Sequence, residues 1–160
     1  TTIGRKLAKL LEYSFVDTDT EIEEDQGCSV AEIFKYGGEE GFREMETQQL
    51  EKLKDVDNSV IATGGGIILR KQNRGMLKEI GKRVYLKVAQ AELLLRLKND
   101  RNRPLLKERD PKTVLNEMFA ERDLLYEQAE CIIETGQQSP QQIASEIIRQ
   151  LCNEVTDHNF

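Results

Sequence analysis

Histidine and cysteine are scarce in this chain, and their scarcity limits the available chemistry. The single histidine, His158, lies in the polar stretch 154–160, so Ser-His-Asp and Cys-His mechanisms have no base to build on. The three cysteines, Cys28, Cys131 and Cys152, are odd in number, and no two stand in Cys-x-x-Cys spacing. That pattern argues against a disulfide framework or a zinc site and for small buried thiols in a reducing cytoplasm. Proline is also sparse, at three residues against eleven glycines, which excludes collagen-like and low-complexity organisation. No apolar run approaches the ~20 residues of a membrane span. Positive charge is outnumbered, with 23 Lys and Arg against 29 Asp and Glu for a net charge of −6. Such a balance disfavours nucleic acid and membrane surfaces as partners. An anionic ligand must therefore be met by a few placed arginines.

The 160 residues, 38% of them hydrophobic, suffice for one domain with a real core. Helical and strand patterns alternate along the whole length. A helix is predicted over 2–12, with Ile3, Leu7, Leu10 and Leu11 on one stripe, and a strand over 14–16. Ser29-Val-Ala-Glu32 reads as a capping box that opens a short helix ending near Tyr36. Gly37-Gly38 breaks it, and a charged helix follows over 39–54. Strands are predicted over 59–63, 83–88 and 131–135, and helices over 71–80, 91–99, 110–128 and 139–151. In the helix from 110, Asp110-Pro111 supplies the cap and first position. Residues 153–160 read as a frayed tail. Short apolar strands alternating with helices predict an α/β fold, a parallel sheet with helices on both faces. Ligands of such folds sit beyond the carboxyl ends of the strands.

Those ends carry the candidate chemistry. The first strand runs into Asp17-Thr18-Asp19. If the extended geometry persists, both carboxylates point to one side. One could then anchor Mg²⁺ while the other accepts a proton from a hydroxyl, although the same residues also make a good solvated helix cap. The second strand runs into Gly64-Gly65-Gly66, which is either a tight turn presenting bare N–H groups or a flexible one. Arg43, Arg103 and Arg122 could each hold a carboxylate or a phosphoryl group, and each could equally be a surface charge. Arg101, Arg103 and Lys107 share a segment without periodicity, as a lid over phosphates would. Glu46 stands three residues after Arg43, at ion-pair spacing, either locking the guanidinium or forming a plain surface pair.

Taken together, Ile3-Gly4-Arg5, Asp17-Thr18-Asp19, Gly38-Glu39-Glu40-Gly41-Phe42-Arg43, Thr63-Gly64-Gly65-Gly66, Arg103-Pro104-Leu105-Leu106 and Arg122…Leu125-Tyr126 resemble the shikimate kinase family, in its order and spacing. The resemblance implies a P-loop, nucleoside-monophosphate-kinase-like fold as a single domain over 1–152, with a lid near 101–110. It implies transfer of the ATP γ-phosphoryl group to the 3-hydroxyl of shikimate, on the route to chorismate and the aromatic amino acids. By that resemblance Asp19 and Arg103 are catalytic, and Asp19, Arg43, Gly64, Gly65, Gly66 and Arg122 bind shikimate. Arg96, Arg103, Gln138 and Pro140 face ATP, and Thr1 and Asp17 take the Mg²⁺ positions. ATP and Mg²⁺ are the implied cofactors, and a cytoplasmic monomer is expected.

One part of the pattern is missing. The family opens with a strand and a Gly-x-x-Gly-x-Gly-Lys-Ser/Thr loop, and neither occurs in the sequence. Thr1 aligns with the last residue of that loop. Without the central strand its two neighbours are expected to stand unjoined, and the 160 residues alone are expected to bind ATP weakly and to be inactive. The abrupt helical start without Met suggests a chain cut just before Thr1. A degenerate, non-catalytic binding module and a sugar-acid kinase of the same fold are the alternatives.

Overall fold

The computed structural model of the chain describes residues 1–89 and 111–156. It is an α/β arrangement of parallel strands and helices. Helix α1 (Thr2–Leu11) buries Leu7 and Ala8, and the chain turns out of it at Glu12 with φ 58°. Strand β1 (Ser14–Asp17) leads directly into α2 (Thr18–Gln26), followed by α3 (Val30–Leu53), β2 (Ser59–Ala62) and a 3-10 turn (Ile67–Leu69). Then come α4 (Lys71–Ile80), β3 (Val84–Val88), α5 (Pro111–Tyr126), β4 (Cys131–Thr135) and α6 (Pro140–Thr156). The predicted helix over 91–99 lies outside the described residues.

The strands form two parallel pairs. β1 runs beside β2, from Ser14 opposite Ser59 to Asp17 opposite Ala62. β3 runs beside β4, from Val84 opposite Cys131 to Val88 opposite Thr135. Among the described residues no ladder joins β2 to β3. Side chains join the pairs instead. Leu7 of α1, Cys131 and Ile133 of β4, and Ile143, Ala144 and Ile147 of α6 form one buried cluster, against which Val60 of β2 and Val84 and Leu86 of β3 pack.

Two smaller clusters set α3 in place. Ile22 of α2 packs on Ile33 and Phe42, and the Phe42 ring lies 4.9 Å from that of Phe34. Leu50, Ile67 and Met76 tie the far end of α3 to the 3-10 turn and α4. The Ser29 capping box is present, with Glu32 N–H on Ser29 Oγ at 3.3 Å and Ser29 N–H on the Glu32 carboxylate at 2.9 Å. The expected break at Gly37-Gly38 contracts to a kink at Gly38, whose φ of 69° and ψ of −179° no other part of α3 shares. One correction falls at the carboxyl end. α6 runs on to Thr156, so residues 153–156 are helical and not a frayed tail. Ile143 and Ile147 bury that helix, and residues beyond Leu151 continue its backbone hydrogen bonding.

Candidate active site

At the end of β1 the chain does not stay extended. Asp17 becomes the N-cap of α2, its Oδ1 accepting from the N–H of Asp19 at 3.2 Å and of Thr20 at 3.4 Å. The helix N-terminus has free N–H groups, and an aspartate satisfies them better than continued strand would. Asp19 therefore sits in the first turn of α2 and not on a shared strand face, which decides for the helix cap over the extended alternative. The other Asp17 oxygen accepts from Thr1 Oγ1 at 2.6 Å, so the two residues assigned to Mg²⁺ meet. Burial holds the Asp19 carboxyl above the usual aspartate range, reinforced by the charges of Asp17 and Glu23 and opposed by Arg43. Its Oδ1 is buried without a partner among the described residues.

The second half of α3 supplies Arg43 and Glu46. Arg43 is 8% exposed and Glu46 fully buried. Arg43 Nη1 donates to Glu46 Oε2 at 2.6 Å, and Nη2 to Glu39 Oε1 at 3.1 Å. The pair is thus a buried lock, not a surface contact. Desolvation works to lower the guanidinium pKa, but the two carboxylates outweigh it and hold the value above that of an ordinary arginine. Glu46 is raised by burial, with Arg43 opposing and Asp19 adding to the rise. Its Oε1 and Arg43 Nε are buried without partners among the described residues. Leaving such groups unsatisfied is costly, and ligand-binding sites are where that cost is tolerated.

The glycine turn after β2 is pressed from all sides. A Cβ on Gly64 would lie 3.1 Å from Asp19 Oδ1 and 3.3 Å from Glu46 Oε1. One on Gly65 would lie 2.8 Å from the Tyr126 hydroxyl, and one on Gly66 would overlap the Arg43 guanidinium. The three glycines make room for the side chains around them, which decides between the tight and the flexible turn. Helix α5 brings Arg122, 8% exposed, and Tyr126 from the far end of the chain. The Tyr126 hydroxyl donates to the Gly65 carbonyl at 2.6 Å. Burial raises its pKa, while the neighbouring guanidinium groups of Arg122 and Arg43 pull the other way. Asp19, Arg43, Gly64, Gly65, Gly66 and Arg122 therefore share one site. Tyr126 joins it without having been assigned a role from sequence, although a residue four positions after Arg122 shares its helix face.

A sequence profile described as shikimate kinase matches residues 1–152. The chain belongs to the shikimate kinase family. It is 44% identical over 152 residues to the shikimate kinase of Nitrosospira multiformis, covering 94% of this chain and 78% of that one. With that of Cupriavidus pinatubonensis it shares 45% over 152 residues, covering 94% and 79%. Among solved structures, the shikimate kinase from Acinetobacter baumannii in complex with shikimate superposes with a TM-score of 0.91 at 40% identity, covering 96% of this chain and 86% of that one. The shikimate kinase from Aquifex aeolicus gives 0.84 at 31%, covering 97% and 90%. The nucleoside-monophosphate-kinase-like α/β fold is that of the shikimate kinase family.

Other residues expected of a shikimate kinase lie elsewhere. Gln138 lines an open cavity of about 550 Å³ at the carboxyl end of β4, together with Thr135, Gly136 and Gln142. Its Oε1 accepts from Gly136 N–H at 2.8 Å, and Pro140 begins α6 just beyond. Arg96, Arg103 and the lid segment 101–110 lie outside the described residues.

Proposed function

We propose that this chain is a shikimate kinase whose site moves the γ-phosphoryl group of ATP to the 3-hydroxyl of shikimate, yielding shikimate 3-phosphate for chorismate and aromatic amino acid synthesis. The observation that carries this reading is the convergence of Arg43 and Arg122 with Asp19 around one glycine turn. Shikimate is a small acid bearing hydroxyls. Two guanidinium groups suit its carboxylate, and a buried carboxylate suits its alcohols. Phosphoryl transfer asks mostly for positioning and charge neutralisation. Asp19 orients the 3-hydroxyl and accepts its proton as the oxygen attacks the γ-phosphorus. The bond to the β-phosphate oxygen breaks, and ADP leaves with the electron pair. The raised pKa of Asp19 makes it a better proton acceptor than a solvated aspartate.

Thr1 and Asp17 fit Mg²⁺, a hard ion that takes one or two carboxylates and completes its shell with water and phosphate. Bound there, the ion would neutralise charge on the phosphates. Arg96, Gln138 and Pro140 frame the adenine side, with the lid residue Arg103 on the phosphates. The reading takes residues 1–152 as one domain, and the protein as a cytoplasmic monomer whose thiols stay reduced. No disulfide links Cys28, Cys131 and Cys152, and sedimentation measures the mass.

Calorimetric titration of this chain with shikimate tests the assignment, and ADP release on adding ATP and Mg²⁺ tests it in a chain that carries the family's Gly-x-x-Gly-x-Gly-Lys-Ser/Thr loop ahead of Thr1. Saturable shikimate binding is expected, and it is expected to weaken at least tenfold in Arg122→Ala, since a charged hydrogen bond to the carboxylate is lost. A chain that ignores shikimate but binds a sugar acid contradicts the assignment.

A further inference from the structure

Every carbonyl of the triple-glycine turn has its own donor. That of Gly64 accepts from Ile67 N–H at 3.3 Å and that of Gly66 from Leu69 N–H at 3.0 Å, both within the turn. The Gly65 carbonyl is served instead by a side chain from another helix, the Tyr126 hydroxyl at 2.6 Å. Neither Gly65 N–H nor Gly66 N–H donates to another described residue. The Gly65 oxygen and the Gly66 N–H belong to one peptide plane. The chain has no cis peptide among its described residues, so the two groups point in opposite directions. Fixing the oxygen on Tyr126 fixes the Gly66 N–H pointing away from it. The Arg43 guanidinium fills the space a side chain on Gly66 would need. The peptide thus has a hydroxyl on its carbonyl and a cation against its second glycine.

Tyr126 is itself held. Its ring stacks on Tyr85 of β3, with centroids 4.8 Å apart and planes 17° from parallel. Strand β3 therefore sets where the hydroxyl lies. The geometry points to Tyr126 as a positioning residue of the substrate site: its hydroxyl pins the Gly65–Gly66 peptide so that the Gly66 N–H stands beside Arg43 as a second donor to the substrate carboxylate. This assignment rests on the kinase reading for the identity of the anion, but not for the peptide geometry. Without the hydroxyl, the Gly65 carbonyl loses its donor and the peptide gains freedom to rotate, since glycine restrains it little. A carboxylate would then have to order the peptide on binding, at a cost equal to about one hydrogen bond.

Tyr126→Phe deletes the hydroxyl and keeps the ring and its stack. Titrated calorimetrically in the full chain, this variant is expected to bind shikimate about tenfold more weakly than wild type, with its far-UV circular dichroism unchanged. In the ¹H–¹⁵N spectrum without substrate, the Gly66 amide resonance is expected to move, because its own peptide carbonyl has lost a donor. Unchanged shikimate affinity overturns the assignment whatever the spectrum shows. So does a wild-type affinity in Tyr126→Phe together with a loss in Tyr126→Leu, since the ring and not the hydroxyl would then matter. If the wild-type chain takes no shikimate, the kinase reading fails. In that case the Gly66 resonance alone decides the pinning: a shift supports it and an unmoved peak overturns it.

Discussion

Asp19 and Glu46 show what a binding site costs its own protein. Both carboxyls are raised chiefly by burial. A raised carboxyl binds its proton more tightly folded than unfolded, so its ionised form opposes folding. The penalty is absent below the ordinary aspartate value of 3.8 and grows as pH rises from there to the raised folded value. Asp19→Asn is therefore expected to raise the thermal midpoint at pH 7, with the gain fading as pH falls toward the ordinary value, and to abolish phosphoryl transfer in a chain that carries the phosphate loop. A lower midpoint at pH 7 would show that the charge is stabilised in place. Glu46 behaves differently on removal, because it leaves Arg43 buried beside one remaining, half-exposed partner, Glu39. Glu46→Ala is expected to cost about 3 kcal/mol in urea unfolding and to weaken shikimate binding together with it. Sequence spacing alone placed the two side chains within reach, and only burial turned that spacing into a lock.

At the scale of elements, helix α3 carries the site and is bent to do so. Gly38 takes a φ of 69° with an extended ψ, so Ile33 and Phe42 on either side of it both pack against Ile22 of α2. A side chain at that φ is strained, and no neighbouring atom lies within 4 Å of a Cβ there, so the strain is purely of the backbone. Gly38→Ala is expected to destabilise by about 1–2 kcal/mol, read as a lower urea midpoint at unchanged slope. An unchanged midpoint would mean that the kink relaxes freely. The elements themselves were largely legible. The strand from 131 to 135, the helix from 71 to 80, the Ser29 capping box and the Gly38 break all follow from periodicity and caps. Helix α2 did not, because its acidic, weakly patterned residues announce no apolar face, and only the Asp17 cap betrays it. The 3-10 turn after the glycines was likewise hidden, being too short for any period to show.

At the scale of the whole molecule, apolar side chains of one cluster link the two strand pairs, and an ion pair clamps the amino ends of the β3–β4 pair. Arg83 at the start of β3 holds Glu130 just before β4 through Nε at 3.0 Å and Nη2 at 2.7 Å, with a further bond from its own N–H at 2.9 Å. These bonds depress the Glu130 carboxyl to about 2. The sign is opposite to that of Asp19: the contribution is present above about 4.5 and is lost as pH falls toward 2. Glu130→Gln is therefore expected to melt below wild type at pH 7 and to converge with it as pH falls through about 2, as thermal scans across pH would show. Curves that stay parallel would place the effect in packing, not charge. With a net charge of −6, acid also relieves general repulsion, so the difference between variants and not the wild-type curve is the quantity to read.

The order of motifs along the chain was enough to fix the family, because each motif is a local matter of residue type at a strand end. The α/β class was equally readable, since alternating periods of helix and strand leave little else to build. Which side chains meet was settled only in three dimensions. Arg43, Gly66 and Arg122 are far apart in sequence, and folding α3, the glycine turn and α5 together is what gives them a common purpose. Tyr126 illustrates the limit most clearly. Its place on the Gly65 carbonyl depends on a stack with β3, and no spacing along a chain encodes a contact that two separate elements create between them.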